Sequence, residues 1–166
     1  MPSTMEQCLS QTLAATFEEL ALTCADFNLS DTQRAAPVDV AMAVSFSGPL
    51  NGWLVLKATS HILPAIAENM LGSDIVDDPS VERDALGELA NVICGNLLPL
   101  IGGAQAVFVL SAPQAFDNAD QTSRYSPSAR TCVGIESGRA VAQLLLSDDS
   151  RRALGLPVAE PIAALA

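Results

Sequence analysis

Four residues at positions 84, 88, 91 and 95 carry the clearest chemistry in this chain: Asp84, Glu88, Asn91 and Gly95. Successive residues of an α-helix turn by roughly 100°, so in a helix these four fall within one arc of about 60°. Leu86, Leu89, Ala90, Ile93, Leu97 and Leu100 fall opposite and form an apolar stripe for burial. The polar side is an unusual choice for a solvated face. Asp84 and Glu88, four apart, repel modestly. Asn is a mediocre helix former, and Gly costs about 1 kcal/mol relative to Ala in a helix interior. A carboxylate at Glu88 can grip a cationic side chain of a partner. The carboxamide of Asn91, three residues on, offers donors and an acceptor and can hold a water in a fixed direction. Phosphoryl hydrolysis needs a water placed in line with the leaving oxygen, and charge compensation on the phosphoryl oxygens. A Glu/Asn pair can supply the positioning but not the cations, which would have to come from the partner.

No other set of residues offers a competing chemistry. His61, the one histidine, falls in the first turn of a predicted surface helix, with no readable acid and nucleophile beside it. Cys8, Cys24, Cys94 and Cys132 lack metal-ligand spacing and read as buried, reduced thiols, Cys94 toward the apolar flank of the helix above. Asp74, Asp77 and Asp78 sit in an acidic loop that lacks the central Gly and later bidentate Glu of a calcium loop. Trp53 follows a turn glycine and is expected in the core or an interface.

The elements that must position the 84–95 helix follow from periodicity. At 166 residues, 49% apolar and 16% charged, the chain has the composition of one folded domain. A helix is predicted over Thr4 to Thr23, capped by Ser3 or Thr4, with Leu9, Leu13, Phe17 and Leu20 as its stripe. A polar linker, residues 28–36, follows. From Val38 the period becomes two, and Val38, Val40, Met42, Val44 and Phe46 mark a half-buried strand. Residues 48–52 turn into a returning strand, Trp53 to Ala58. Thr59 or Ser60 is expected to cap a helix ending at Gly72, and Ser80 to cap the helix that carries Glu88 and Asn91, which Gly102 and Gly103 stop. A strand is expected over 106–111, a polar loop over 116–128, and two strands, 130–136 and 139–147, joined at Ser137-Gly138. The order predicts an α+β fold, a mostly antiparallel sheet packed against helices. It fills a single domain over residues 1–147, with a tail, 148–166, whose Leu156, Val158, Ile162 and Leu165 suit packing on the body or on another subunit.

The formal charge of −11 argues against nucleic acid and against an anionic membrane surface as partners. The first six residues show no basic region ahead of an apolar run, and the longest apolar stretch, residues 97–110, is broken by Pro99, Gly102, Gly103 and Gln105. A cytoplasmic protein is expected.

The segment 84–95 resembles the signature helix of the CheC/CheX/FliY family of chemotaxis phosphatases, in which an acidic or Ser residue, Glu and Asn are spaced as Asp84, Glu88 and Asn91, with Gly95 following. Phe46-Ser47-Gly48 with Gly52 resembles the family's first hairpin, residues 68–72 the end of the helix before the signature, and residues 109–113 the strand after it. The correspondence runs in layout over residues 5–147. The resemblance implies a phosphatase that hydrolyses the phosphoaspartate of a CheY-type response regulator in two-component signalling. Glu88 would pair with the receiver's lysine, Asn91 would orient the attacking water, and Asp84 and Gly95 would be auxiliary, partner-binding positions on the same face. Mg²⁺ would be held by the receiver, and no cofactor by this chain. No second Glu-x-x-Asn is present, so the chain is similar to the single-site CheX type, whose members are homodimers joined through their sheets. A non-catalytic receiver-binding or assembly module, using the same face, is the alternative.

Overall fold

The computed structural model describes residues 1–72, 78–116 and 127–158. Helix α1, Thr4–Leu20, opens at a capping box: Ser3 Oγ accepts from the Glu6 amide, and the Glu6 carboxylate accepts from the Ser3 amide. Its buried face is Leu9, Leu13 and Phe17, while Leu20 in the last turn is partly exposed. The helix stops three residues before the expected end. Leu22 takes a φ of 52°, and the Thr23 amide returns to the Phe17 carbonyl at 3.3 Å.

The predicted linker holds structure. Strand β1, Ala25–Asp26, pairs with a later strand, and α2, Asp31–Ala35, is set by a second capping box between Ser30 and Gln33. Strands β2, Val40–Ser47, and β3, Gly52–Ala58, form the antiparallel hairpin, from Val40 opposite Ala58 to Phe46 opposite Gly52. Met42, Val44 and Phe46 face the core, as the alternation requires. The strand is not half-buried, however. Ala41, Ala43 and Val55 on the other face are buried too and gather with Phe116 and Leu145. Trp53, on that outer face, meets Phe116 edge-on at 6.3 Å between ring centroids and stays partly exposed.

A 3₁₀ turn, Ser60–Ile62, leads into α3, Leu63–Leu71, which ends at Gly72 with φ 98°. Neither Thr59 nor Ser60 caps it. The Thr59 hydroxyl accepts from the Arg139 amide and donates to the Arg139 carbonyl, and the Ser60 hydroxyl donates to the Asp39 carboxylate. Both hydroxyls are drawn to tertiary partners. Helix α4, Pro79–Gly102, is capped by Asp78, not Ser80: the Asp78 carboxylate accepts from the Ser80 amide at 2.9 Å, and Pro79 fills the first position, where no amide is needed.

The strand expected over 106–111 narrows to β4, Val109–Leu110, and a second short strand, β5, Gln114–Ala115, follows; both pair with β2. Strands β6, Ala129–Ile135, and β7, Gly138–Leu146, form the second hairpin. Its turn sits one residue earlier than expected, on Glu136 and Ser137, with Glu136 at φ 50° and Gly138 already paired with Ile135. Helix α5, Asp148–Ala153, is capped by Ser147, and Leu154 and Leu156 after it pack against the main core. Asp74 and Asp77, most of the expected 116–128 loop, and Ile162 and Leu165 lie outside the described residues.

The fold is α+β. The sheet runs β1-β6-β7-β3-β2-β4, antiparallel throughout, with β5 beside β2. Helices α1, α3 and α4 supply the other half of the main core. Helix α4 is the element all of this holds: it packs against α1, α3, β2 and β3 at once.

Candidate functional site

Helix α4 is fixed from behind. Leu86, Leu89, Ala90, Ile93 and Leu97 are buried, as the stripe predicts. Leu100 is not; it is 60% exposed, and Leu98 takes the last buried position. Pro99 lies in the final turn, where Ile101 rather than Leu100 packs against the core. By length and composition α4 could cross a membrane, but half of its most apolar stretch is buried inside the protein. Its apolar side serves the core.

Close seating on the sheet depends on Gly87. A Cβ there would lie 2.9 Å from Pro113 Cβ and 3.0 Å from Met42 Cε. Pro113 is held in place by the segment before it: the Ser111 amide donates to the Ser45 carbonyl, and the Ser45 amide donates to Ser111 Oγ, both at 2.9 Å. Pro113 thus forms part of the floor under α4. On its other side, Asn69 Nδ2 donates to the Ala21 carbonyl at 2.8 Å and ties α3 to the end of α1. The segments that accompany the 84–95 helix in sequence are those that fix its position in space.

The face so presented is open. Asp84, Glu88 and Gly95 are exposed, and Asn91 is half-buried. The structure brings all four together along one side of α4, as predicted. Glu88 and Asn91 are about 4.5 Å apart along the helix axis, from a rise of about 1.5 Å per residue. Among the described residues, no side chain of the chain makes a hydrogen bond or ion pair with Asp84, Glu88 or Asn91. Their acceptors and donors remain available to a partner. Asn96, exposed beside Gly95, is a polar residue off this row, about 100° round the helix from Gly95.

The other candidate groups stand apart from this chemistry. Burial pushes the Cys94 thiol up to about 12, so it stays protonated and is a packing residue. His61 is exposed and shares a 2.8 Å hydrogen bond with the Ser137 hydroxyl, tying the 3₁₀ turn to the β6–β7 hairpin. Cys24 is exposed and Cys8 and Cys132 are partly so; of the four cysteines expected to be buried, only Cys94 is. Among the described residues, no three His, Cys, Asp or Glu side chains are grouped to hold a metal ion.

Residues 40–136, more than half of the chain and the whole of the 84–95 face, match the family Chemotaxis phosphatase CheX. Solved structures share the fold. A chemotaxis protein CheX from Desulfovibrio desulfuricans superposes with a TM-score of 0.66 at 18% identity, over 87% of this chain and 100% of that one. CheX from Vibrio vulnificus superposes with a TM-score of 0.64 at 13% identity, over 87% and 97%. A chain of the CheX–CheY–BeF3–Mg²⁺ complex from Borrelia burgdorferi does so at 0.55 and 13% identity, over 84% and 96%. No curated protein matches the chain.

Proposed function

This chain belongs to the chemotaxis phosphatase CheX family, and we propose that it hydrolyses the phosphoaspartate of a CheY-type receiver domain in the cytoplasm. The observation that carries this reading is the pairing of Glu88 and Asn91 side by side on a buttressed helix, with no partner of their own among the described residues.

The chemistry divides between the two proteins. The receiver brings the phosphoryl group and a Mg²⁺ ion, which compensates charge on the phosphoryl oxygens. Glu88 pairs with the receiver's active-site lysine and fixes the docking register. Asn91 enters the receiver's site, where its carboxamide oxygen accepts from a water and holds a lone pair of that water toward phosphorus. The water attacks, the bond between phosphorus and the aspartyl oxygen breaks, and inorganic phosphate and a free carboxylate result. The contribution is orientation, which is worth much when the reacting atoms are held near 3 Å. Asp84, one turn before Glu88, extends the acidic contact. A homodimer belongs to the same proposal, and sedimentation equilibrium reads it directly.

The test is the decay of a phosphorylated CheY-type receiver from the same organism, alone, with the wild-type protein and with Asn91→Ala. Faster decay that vanishes in Asn91→Ala supports the reading. Saturable binding of the receiver with no faster decay would replace it with the non-catalytic module.

A further inference from the structure

Of the ten glycines in the chain, Gly95 alone has neither a left-handed backbone nor a close neighbour among the described residues that would exclude a side chain. Four others, Gly48, Gly72, Gly103 and Gly155, sit at φ between 69° and 149°, which side chains rarely adopt. The remaining five, Gly52, Gly87, Gly102, Gly134 and Gly138, lie where a Cβ would press into a neighbour; at Gly102 it would come within 2.6 Å of the Phe108 ring. Gly95 has ordinary helical backbone, and a Cβ built there meets nothing within 4 Å. Alanine would fit without strain and would be a better helix residue. The chain forgoes that stability at a position in line with Asp84, Glu88 and Asn91, one turn beyond Asn91 on the exposed side.

We infer that Gly95 is the contact floor for the receiver: a segment of the partner's main chain rests directly on the Gly95 backbone, and this contact sets how deeply Asn91 reaches. The inference rests on reading the α4 face as the receiver-docking surface. Gly95 lies about 6 Å along the axis from Asn91 and about 10 Å from Glu88. A partner seated on Glu88 and Gly95 is therefore held on both sides of Asn91, and its height above the helix is fixed. A methyl group at position 95 lifts it by about 1 Å, and misplacement of that size can cost about 10²-fold in rate. Gly95 is on this account a positioning residue, acting through Asn91.

The experiment compares wild type, Gly95→Ala, Gly95→Met and Asn96→Ala for thermal midpoint and for hydrolysis against receiver concentration. Gly95→Ala is expected to melt about 2–4 °C higher and to turn over at least 10-fold more slowly at saturating receiver. Gly95→Met is expected to lose binding as well. Asn96→Ala, exposed but off the row, is expected to keep the wild-type rate. A purely structural glycine would give a lower midpoint in Gly95→Ala, and that result overturns the inference. Wild-type kcat and KM in Gly95→Ala and Gly95→Met overturn it too. Affinity for the receiver carrying a beryllofluoride group separates this inference from the phosphatase reading. If the wild type binds but does not hydrolyse, catalysis falls, and loss of binding in Gly95→Met still supports the floor. Equal affinity in that variant rejects it.

Discussion

Glu88 and Asn91 are neighbours on one helix turn, but they are proposed to act at different stages, so their kinetic signatures should differ. Asn91 acts only when a water is being aligned, so Asn91→Ala should lower kcat by about 10²–10³-fold, the range seen when one preorganised polar group is lost, with KM little changed. Its far-ultraviolet circular dichroism and melting midpoint should match the wild type, because the side chain has no intramolecular partner among the described residues. Equal kcat in the variant would remove Asn91 from the chemistry. Glu88 holds the partner before and during reaction, which is uniform binding. Glu88→Ala should therefore raise KM by about 10-fold, equivalent to about 1.4 kcal/mol, and the difference should shrink as salt is raised, since the carboxylate is exposed and screened. Cys94 behaves differently from both. With its thiol pushed up to about 12, it is protonated throughout the working range of the protein. A thiol reagent at pH 8 should label the exposed Cys24 and leave Cys94 untouched until unfolding. The sign of the linkage is fixed as well. The unfolded chain loses the Cys94 proton near its ordinary value of 9.0 and the folded one only near 12, so this group lowers stability as pH rises through that window and leaves it unaffected below.

At the scale of the element, α4 is useful because it is held closely at one glycine and left bare at another. Gly87 and Gly95 are eight residues apart on the same helix, and alanine should act oppositely at the two. At Gly87 the new methyl would press on Pro113 and Met42, and over-packing of this kind typically costs about 1–3 kcal/mol. Urea denaturation of Gly87→Ala should show that loss, and an unchanged midpoint would mean that the floor segment yields freely. The two glycines also mark how far the sequence alone could be read. The open face was legible because Asp84, Glu88, Asn91 and Gly95 obey helix periodicity, and the stripe behind them did too, up to Leu97. Periodicity then failed at Leu100, because it counts angle and cannot tell which neighbours meet each turn: Leu98 is buried and Ile101 packs on the core, while Leu100 is exposed. It gave no reason for Gly87, whose partners Met42 and Pro113 lie far off in sequence. The first and second hairpins follow from alternation, whereas α2 is too short to show a period and is signalled only by the Ser30–Gln33 capping box. The caps of α3 and α4 were misplaced for a common reason. A hydroxyl near a helix start has other takers: Thr59 and Ser60 went to Arg139 and Asp39, and Ser80 became a donor to Asp78.

For the whole molecule, the question is what a long polar face on one helix demands of the rest. A helix that shows a partner unpaired groups gains nothing from them within its own chain, so its hold must come from the core. That core is one continuous cluster drawing on α1, α3, α4 and the sheet, with Leu154 and Leu156 closing it near the end of the described chain. The closure is made through the β2–β3 turn. The Asn51 amide donates to Ser150 Oγ at 2.7 Å, and the Ser147 amide donates to the Asn51 carbonyl at 2.9 Å. Ser147 and Ser150 therefore lock the hairpin on which α4 sits, while α4 itself packs against α1, α3, β2, β3 and β5. Stability and activity should separate on that account. Two partly buried leucines at about 1 kcal/mol each, with one net hydrogen bond at about 1 kcal/mol, give a loss of about 3 kcal/mol when the chain is cut after Ser147. Chemical denaturation of that truncation should show a single transition at a lower midpoint, as expected for one cooperative core. Turnover per folded molecule at 25 °C should hold, because Glu88 and Asn91 keep their register through the seat of α4 on β2. An unchanged midpoint would make the tail an appendage. A stable truncation with impaired turnover would instead place part of the receiver's footprint on the tail, beyond the α4 face.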